Sequence, residues 1–117
     1  MEKFAEGALE ISMETNGSVK MTWLGRSENR DPALLLNPYL SKIIDAIEGK
    51  KMEIDFTRFE YMNSSTVPPI IQMVKSLETK GISTKVIYNK DSKWQEASFK
   101  ALQVITTKMK HIEVIGK

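Results

Sequence analysis

Four polar side chains in a row, Asn63-Ser64-Ser65-Thr66, follow an alternating stretch that begins at Asp55 and precede an apolar spacing that begins at Val67. Hydroxyls and a carboxamide at the mouth of a helix can do two things. They can accept hydrogen bonds from backbone N–H groups that lack helical partners, or one can carry a phosphate, adding roughly −1.5 to −2 charge and three acceptor oxygens. Ser65 or Thr66 suits the capping role, and Ser64 the modification. Pro68 and Pro69 bear on both roles, because they remove two N–H groups that a capping oxygen or an anion would otherwise bind.

Other chemistries find little support. The chain has no phosphate-cradling glycine loop, no Gly-x-Ser-x-Gly elbow and no cysteine, and its one histidine, His111, stands apart from any nucleophile it could activate. A non-enzymatic protein without metal or cofactor is the expectation. Glu10 with Glu14, and Glu53 with Asp55, recur at strand spacing and read as the solvated side of a sheet. Trp23 and Trp94 read as core anchors, and most of the methionines as gap fillers on core-facing positions.

The totals restrict the class further. A chain of 117 residues holds one core, so a single domain over 1–117 is expected. A net charge of +2 is too small for an electrostatic nucleic-acid binder, and Lys50-Lys51 and Lys108-Met109-Lys110 are short enough to be solvated surface. Leu34-Leu35-Leu36 and Ile70-Ile71 fall far short of the roughly 20 apolar residues that cross a bilayer, and Met1–Glu6 has no apolar signal segment. With no cysteine to pair, a cytoplasmic setting without membrane contact follows as the expectation.

The elements that must position the hydroxyl cluster can be read from periodicity. Leu9, Ile11 and Met13, then Val19, Met21 and Trp23, alternate with polar residues on either side of Asn16-Gly17, whose residues tolerate positive φ, and predict an opening β-hairpin. Asn37-Pro38 reads as the start of a helix carrying Leu40, Ile43, Ile44 and Ile47, with Gly49 as its stop. Met52, Ile54 and Phe56 predict a third strand. Val67, Ile70, Ile71, Val74 and Leu77 predict a second helix ended by Gly81. A fourth strand through Thr84, Val86 and Tyr88 leads to a third helix from Asp91 or Ser92, with Trp94, Ala97, Ala101, Leu102, Ile105 and Met109 as its apolar side, and Ile112–Ile115 add a short last strand. This order predicts a two-layer α/β domain: a mixed sheet of about five strands with three main helices chiefly on one face.

With those elements in place, Asp55-Phe-Thr-Arg-Phe-Glu-Tyr-Met-Asn-Ser-Ser-Thr-Val-Pro-Pro-Ile70 resembles, without a gap, the Asp-Leu-Ser…Ile-Asp-Ser-Ser-Gly-Leu-Gly stretch of STAS domains, the fold of bacterial anti-sigma factor antagonists. The element order agrees along almost the whole chain. A SiaC-like branch of that family looks closer still, with Asn-Thr-Ser-Ser where this chain has Asn63-Ser64-Ser65-Thr66. The resemblance implies a partner-switching module, phosphorylated on Ser64 by a GHKL-type kinase that doubles as anti-sigma factor and dephosphorylated by a PP2C-type phosphatase. It also implies a partner-binding surface made of Asn63, Ser64, Ser65, Thr66 and Val67. Outputs of such modules include sigma-factor regulators and cyclic-nucleotide-making enzymes. The chain departs from the pattern at Asn63, Thr66 and Pro68, where an acid and two glycines are usual, which stiffens the helix start.

Two alternatives stay open. A STAS-like fold can serve as a constitutive scaffold or small-ligand binder with no covalent switch. A receiver-type domain phosphorylated on Asp55 suits the chain length, although a receiver alternates strand and helix from its start and gathers further acids around its aspartate. The oligomeric state is open too, since alternating charges on a hairpin edge suit a monomer as well as a self-pairing edge.

Overall fold

The computed structural model describes residues 3–117. Seven strands form one sheet: β1 (Phe4–Glu6), β2 (Leu9–Asn16), β3 (Ser18–Ser27), β4 (Met52–Asp55), β5 (Phe59–Met62), β6 (Thr84–Tyr88) and β7 (Ile112–Gly116). The spatial order is β1-β2-β3-β4-β6-β7, with β5 paired to the far half of β3. The first three strands are antiparallel, and β3 pairs in parallel with β4 and β5, as β4 does with β6 and β6 with β7. Three helices supply the crossovers: α1 (Ala33–Ala46), α2 (Val67–Thr79) and α3 (Lys93–Ile105). Parallel strands require such long connections, so helices enter where the chain leaves its opening hairpin.

One face of the sheet, carrying Ile11, Met21, Ile54, Val86 and Val114, is packed by Leu40, Ile43 and Ile44 of α1, Ile70, Val74 and Leu77 of α2, and Phe99 and Leu102 of α3. The opposite face is charged. Register places Glu14, Lys20, Glu53, Lys85 and Glu113 side by side across five strands, so the sign alternates at every step. Lys20 Nζ stands 3.8 Å from both Glu53 and Asp55 carboxylates. Such cross-strand pairs contribute about 0.2–1 kcal/mol each, and a slip of one residue would drive them into the core.

The two-layer α/β architecture with helices on one face agrees with the sequence reading, while several local expectations change. The sheet has seven strands rather than about five. β1 is only three residues long, held to the body by the Phe4 ring 5.1 Å from Tyr39. β5 pairs with β3 beyond a β-bulge at Gly25, which has φ +80° and whose Cβ, if present, would overlap the Ala8 carbonyl oxygen. At the hairpin Asn16 already pairs with Ser18, so Gly17 alone takes the positive φ (+80°).

α1 starts at Ala33, not at Asn37-Pro38. Pro38 lies inside the helix, where it leaves the Leu34 carbonyl without its usual donor; Leu34 is 71% exposed, so water can serve instead. The inward face of α3 is also rotated from the expected one. Gln95, Phe99, Leu102 and Thr106 are buried, whereas Ala97, Ala101 and Ile105 face outward.

Candidate functional site

The hydroxyl cluster sits where β5 runs into α2, and the chain there makes one 3₁₀ turn over Ser64–Thr66 before the helix proper. Asn63 has the extended backbone of a capping residue, with φ −77° and ψ 169°. Its Oδ1 accepts from the Thr66 backbone N–H at 3.1 Å and from the Thr66 hydroxyl at 2.7 Å. Its Nδ2 donates to the Asn29 carbonyl at 2.7 Å, and its backbone N–H to the Ser27 carbonyl at 3.0 Å. The cap is therefore Asn63, and neither Ser65 nor Thr66 performs that role.

Thr66 instead points inward and is 0% exposed. Its hydroxyl lies 2.7 Å from Ser27 Oγ on β3. Because the Asn63 oxygen carries no hydrogen, Thr66 donates to Asn63 and so accepts from Ser27, which leaves no orphaned donor in the chain Ser27–Thr66–Asn63. The expected partner-facing set thus separates. Ser64 and Ser65 are exposed, Asn63 and Val67 half-buried, and Thr66 supports the turn from beneath, out of reach of any partner. Neither Ser64 nor Ser65 makes a side-chain hydrogen bond within the described chain.

Below the turn an aromatic cluster fixes its height. Trp23 stands 5.2 Å from Phe56 and 5.6 Å from Phe59, and Phe56 lies 4.6 Å from Phe99 between ring centroids. Trp23 is fully buried, and half-buried Trp94 packs edge-on against Phe59 at 5.8 Å, so both act in packing as their types suggested. Gln95 clamps the loop between β4 and β5. Its Nε2 donates to the Phe56 carbonyl at 2.7 Å and the Phe59 carbonyl at 2.8 Å, and its Oε1 accepts from the Asn89 N–H at 2.8 Å. This fully buried amide escaped the sequence reading because a glutamine on a helix looks like surface.

The remaining candidates are occupied otherwise. Asp55 Oδ1 accepts from the Thr57 N–H at 2.8 Å and the Thr57 hydroxyl at 2.7 Å, a turn that ends β4. Among the described residues no three acidic, histidine or cysteine side chains come together, and His111 is exposed at the start of β7. Glu78, at the far end of α2, accepts the backbone N–H groups of Lys110 at 2.9 Å and His111 at 2.8 Å. Those bonds, led by the one from Lys110, hold its carboxyl below the usual carboxylate value. No helix among the described residues is long and apolar enough to cross a membrane.

Beside the turn, α2 packs closely on α1 but makes few contacts with α3. The gap is an open apolar groove of about 170 Å³, lined among others by Met62, Val67, Ile71, Ala101, Leu102 and Ile105. Met62 and Val67 flank the Asn63–Thr66 turn, so the groove opens beside that turn.

Sheet order, crossovers and the capped turn between β5 and α2 together define a STAS-like fold, the SpoIIAA-like type of two-layer α/β domain, which is not that of a receiver. No family model matches the chain, and no curated protein does. Solved structures do. A chain of the crystal structure of the diguanylate cyclase SiaD in complex with its activator SiaC, from Pseudomonas aeruginosa, superposes over 100% of both chains with a TM-score of 0.71 at 12% identity. A protein of the DUF3478 family with a SpoIIAA-like fold, from Shewanella loihica, superposes over 97% of this chain and 92% of its own with a TM-score of 0.56 at 12% identity.

Proposed function

We propose that this chain is a non-catalytic regulatory module that binds a protein partner through the surface around Ser64, and that a phosphate on Ser64 weakens or reshapes that contact. One observation carries the reading: in a turn where Asn63 and Thr66 are tied down, the Ser64 hydroxyl, like its neighbour on Ser65, is exposed and free of internal hydrogen bonds, and the resemblance selects Ser64 of the two. A capping hydroxyl would be engaged, and a kinase substrate must be free. The SiaD complex with its activator SiaC supplies a precedent in which a chain of this fold binds an enzyme. By the resemblance around Asn63–Thr66, a GHKL-type kinase would add the phosphate and a PP2C-type phosphatase remove it, in the cytoplasm of a bacterium.

Intact-mass and peptide mass spectrometry of protein purified from its own cells tests the switch, with phosphate on Ser64 as the expected result. Affinity capture then compares Ser64→Ala, expected to retain the partner, with Ser64→Asp, expected to lose it. A Ser64 that stays unmodified beside its active kinase, or equal capture by both variants, would leave a constitutive scaffold as the function.

A further inference from the structure

The apolar side of α3 is wider than the core it covers. Phe99 and Leu102 turn inward, while Ala97, Ala101, Val104 and Ile105 continue the stripe onto the surface, Val104 at 73% exposure and Ile105 at 45%. Across the groove, Val67 and Ile71 of α2 are only half-buried. An open channel between two helices has the form that receives a third helix, whose side-chain ridges fill it.

Charge restricts the occupant. Residues 67–80 and 93–110, the two helices and the turns that follow them, carry six lysines against two carboxylates, and of the six Lys80 is paired with Asp45. Lys75 on α2, Lys93 at the start of α3 and Lys108 just beyond its end are exposed and have no carboxylate partner among the described residues. The carboxylates there are committed: Glu78 to the Lys110 and His111 N–H groups, Glu96 to Lys100 at 3.3 Å. The groove is thus an apolar channel in a basic field. A second copy docking groove to groove would meet its own charge, and a flat bilayer would not fill a concave channel.

We infer that the α2–α3 groove binds an amphipathic helix of the partner protein whose apolar stripe is flanked by Glu or Asp. This deepens the proposed function and rests on it for the regulatory meaning: the groove opens beside the turn that carries Ser64, so a phosphate there places negative charge close to a site built for a negative segment. The same charge would favour a basic partner, which makes the sign of the partner's helix the decisive property.

The test uses the full chain and two synthetic peptides of about 18 residues, five helical turns, sharing one leucine stripe, flanked by Glu in one and by Lys in the other. Calorimetry is expected to show binding of the Glu-flanked peptide at least about tenfold tighter than the Lys-flanked one, with the difference shrinking at high salt. Ile105→Glu and Lys108→Glu, both at exposed positions, are each expected to weaken it by about tenfold while the thermal unfolding curve stays in place. Equal binding of both peptides, no binding of either, self-association through the groove in sedimentation, or binding of phosphatidylglycerol vesicles abolished by Ile105→Glu would overturn the inference. Binding of the Glu-flanked peptide that Ser64→Asp leaves unchanged would keep the groove and sink the phosphate switch, so the two ideas fail separately.

Discussion

Asn63 offers the sharpest test of how this site is built. The side chain makes three hydrogen bonds: two accepted from Thr66 and one donated to the Asn29 carbonyl. Asn63→Ala removes all three. Loss of a helix cap costs about 1 kcal/mol, and loss of a further partly buried bond about 1 more, so the expected destabilisation is about 2 kcal/mol. The buried Thr66 hydroxyl keeps Ser27, which holds the figure below that of an orphaned polar group. Asn63→Asp separates the contributions. Aspartate still accepts both Thr66 bonds, more strongly for its charge, but cannot donate to Asn29 and sets a negative oxygen against a carbonyl. Its expected cost is about 1 kcal/mol or less. At roughly 3–6 °C per kcal/mol for a domain of this size, Asn63→Ala should melt about 6–12 °C below wild type and Asn63→Asp within about 6 °C of it. Thermal unfolding followed by circular dichroism reads both. If Asn63→Ala proves as stable as wild type, or if aspartate is the worse substitution, then Asn63 is not the cap that orders this turn.

Gln95→Leu preserves volume but removes the side-chain donor from the Phe56 and Phe59 carbonyls, of which Phe56 keeps the Phe59 N–H, and the acceptor from the Asn89 N–H, with an expected loss of about 2–3 kcal/mol in a denaturant titration; a loss under about 0.5 kcal/mol would refute the clamp. Gly25→Ala adds a Cβ on the Ala8 carbonyl at a positive φ and is expected to destabilise by about 3 kcal/mol or prevent soluble expression. For Glu78 the folded pKa lies below the unfolded one, so its contribution is full above the unfolded value and lost as pH falls through the folded one. The melting temperature should hold from neutral pH to about pH 5 and fall below about pH 4.5, and Glu78→Gln should flatten part of that fall; an unchanged pH profile in the variant would remove Glu78 from the account.

What the sequence revealed and what it hid have physical causes. Elements in which one face repeats apolar residues were legible: β4 and β6 bury the residues that periodicity selects, and the hairpin strands and α2 bury most of theirs, with Met13, Val67 and Ile71 half-buried. The opaque places are those where a single atom or a long-range contact decides. Pro38 looks like a helix start because proline disfavours helix interiors, but Leu34, whose carbonyl loses its donor, is an exposed residue, which makes the interior position tolerable. β5 has four residues and no clear alternation, and its pairing with β3 depends on a register shift at Gly25–Arg26 that leaves Glu60 without a partner on β3. In α3 one of the three buried positions, Gln95, is polar, as is the buried Thr106 that ends the helix, so the apolar stripe pointed to the wrong face. The hydroxyl cluster was found from local sequence, yet the roles within it were not. Choosing Asn63 over Ser65 or Thr66 as the cap depends on Asn29 and Ser27, more than 30 positions away in the chain.

That assignment determines how a phosphate on Ser64 would act. An anion at a helix mouth is normally held by the first free N–H groups. Here the Thr66 N–H is taken by Asn63 and the Val67 N–H by the Ser64 carbonyl, and Pro68 and Pro69 have none. Four of the donors that a phosphate would turn to are spent or missing, and only the Ser64 and Ser65 N–H groups remain at the turn, so it offers little to reorder α2 around the group. The charge therefore projects into solvent, over the end of the groove flanked by Met62 and Val67. A switch of this kind acts on the partner and leaves its own fold unchanged. Ser64→Asp should then shift the free energy of unfolding by less than about 0.5 kcal/mol, the range of an exposed substitution, while the change in partner affinity is much larger and diminishes with added salt. A stabilisation of 1–2 kcal/mol, of the order a captured anion at a helix start provides, would mean that the turn does hold the charge and that the switch works by ordering the helix instead.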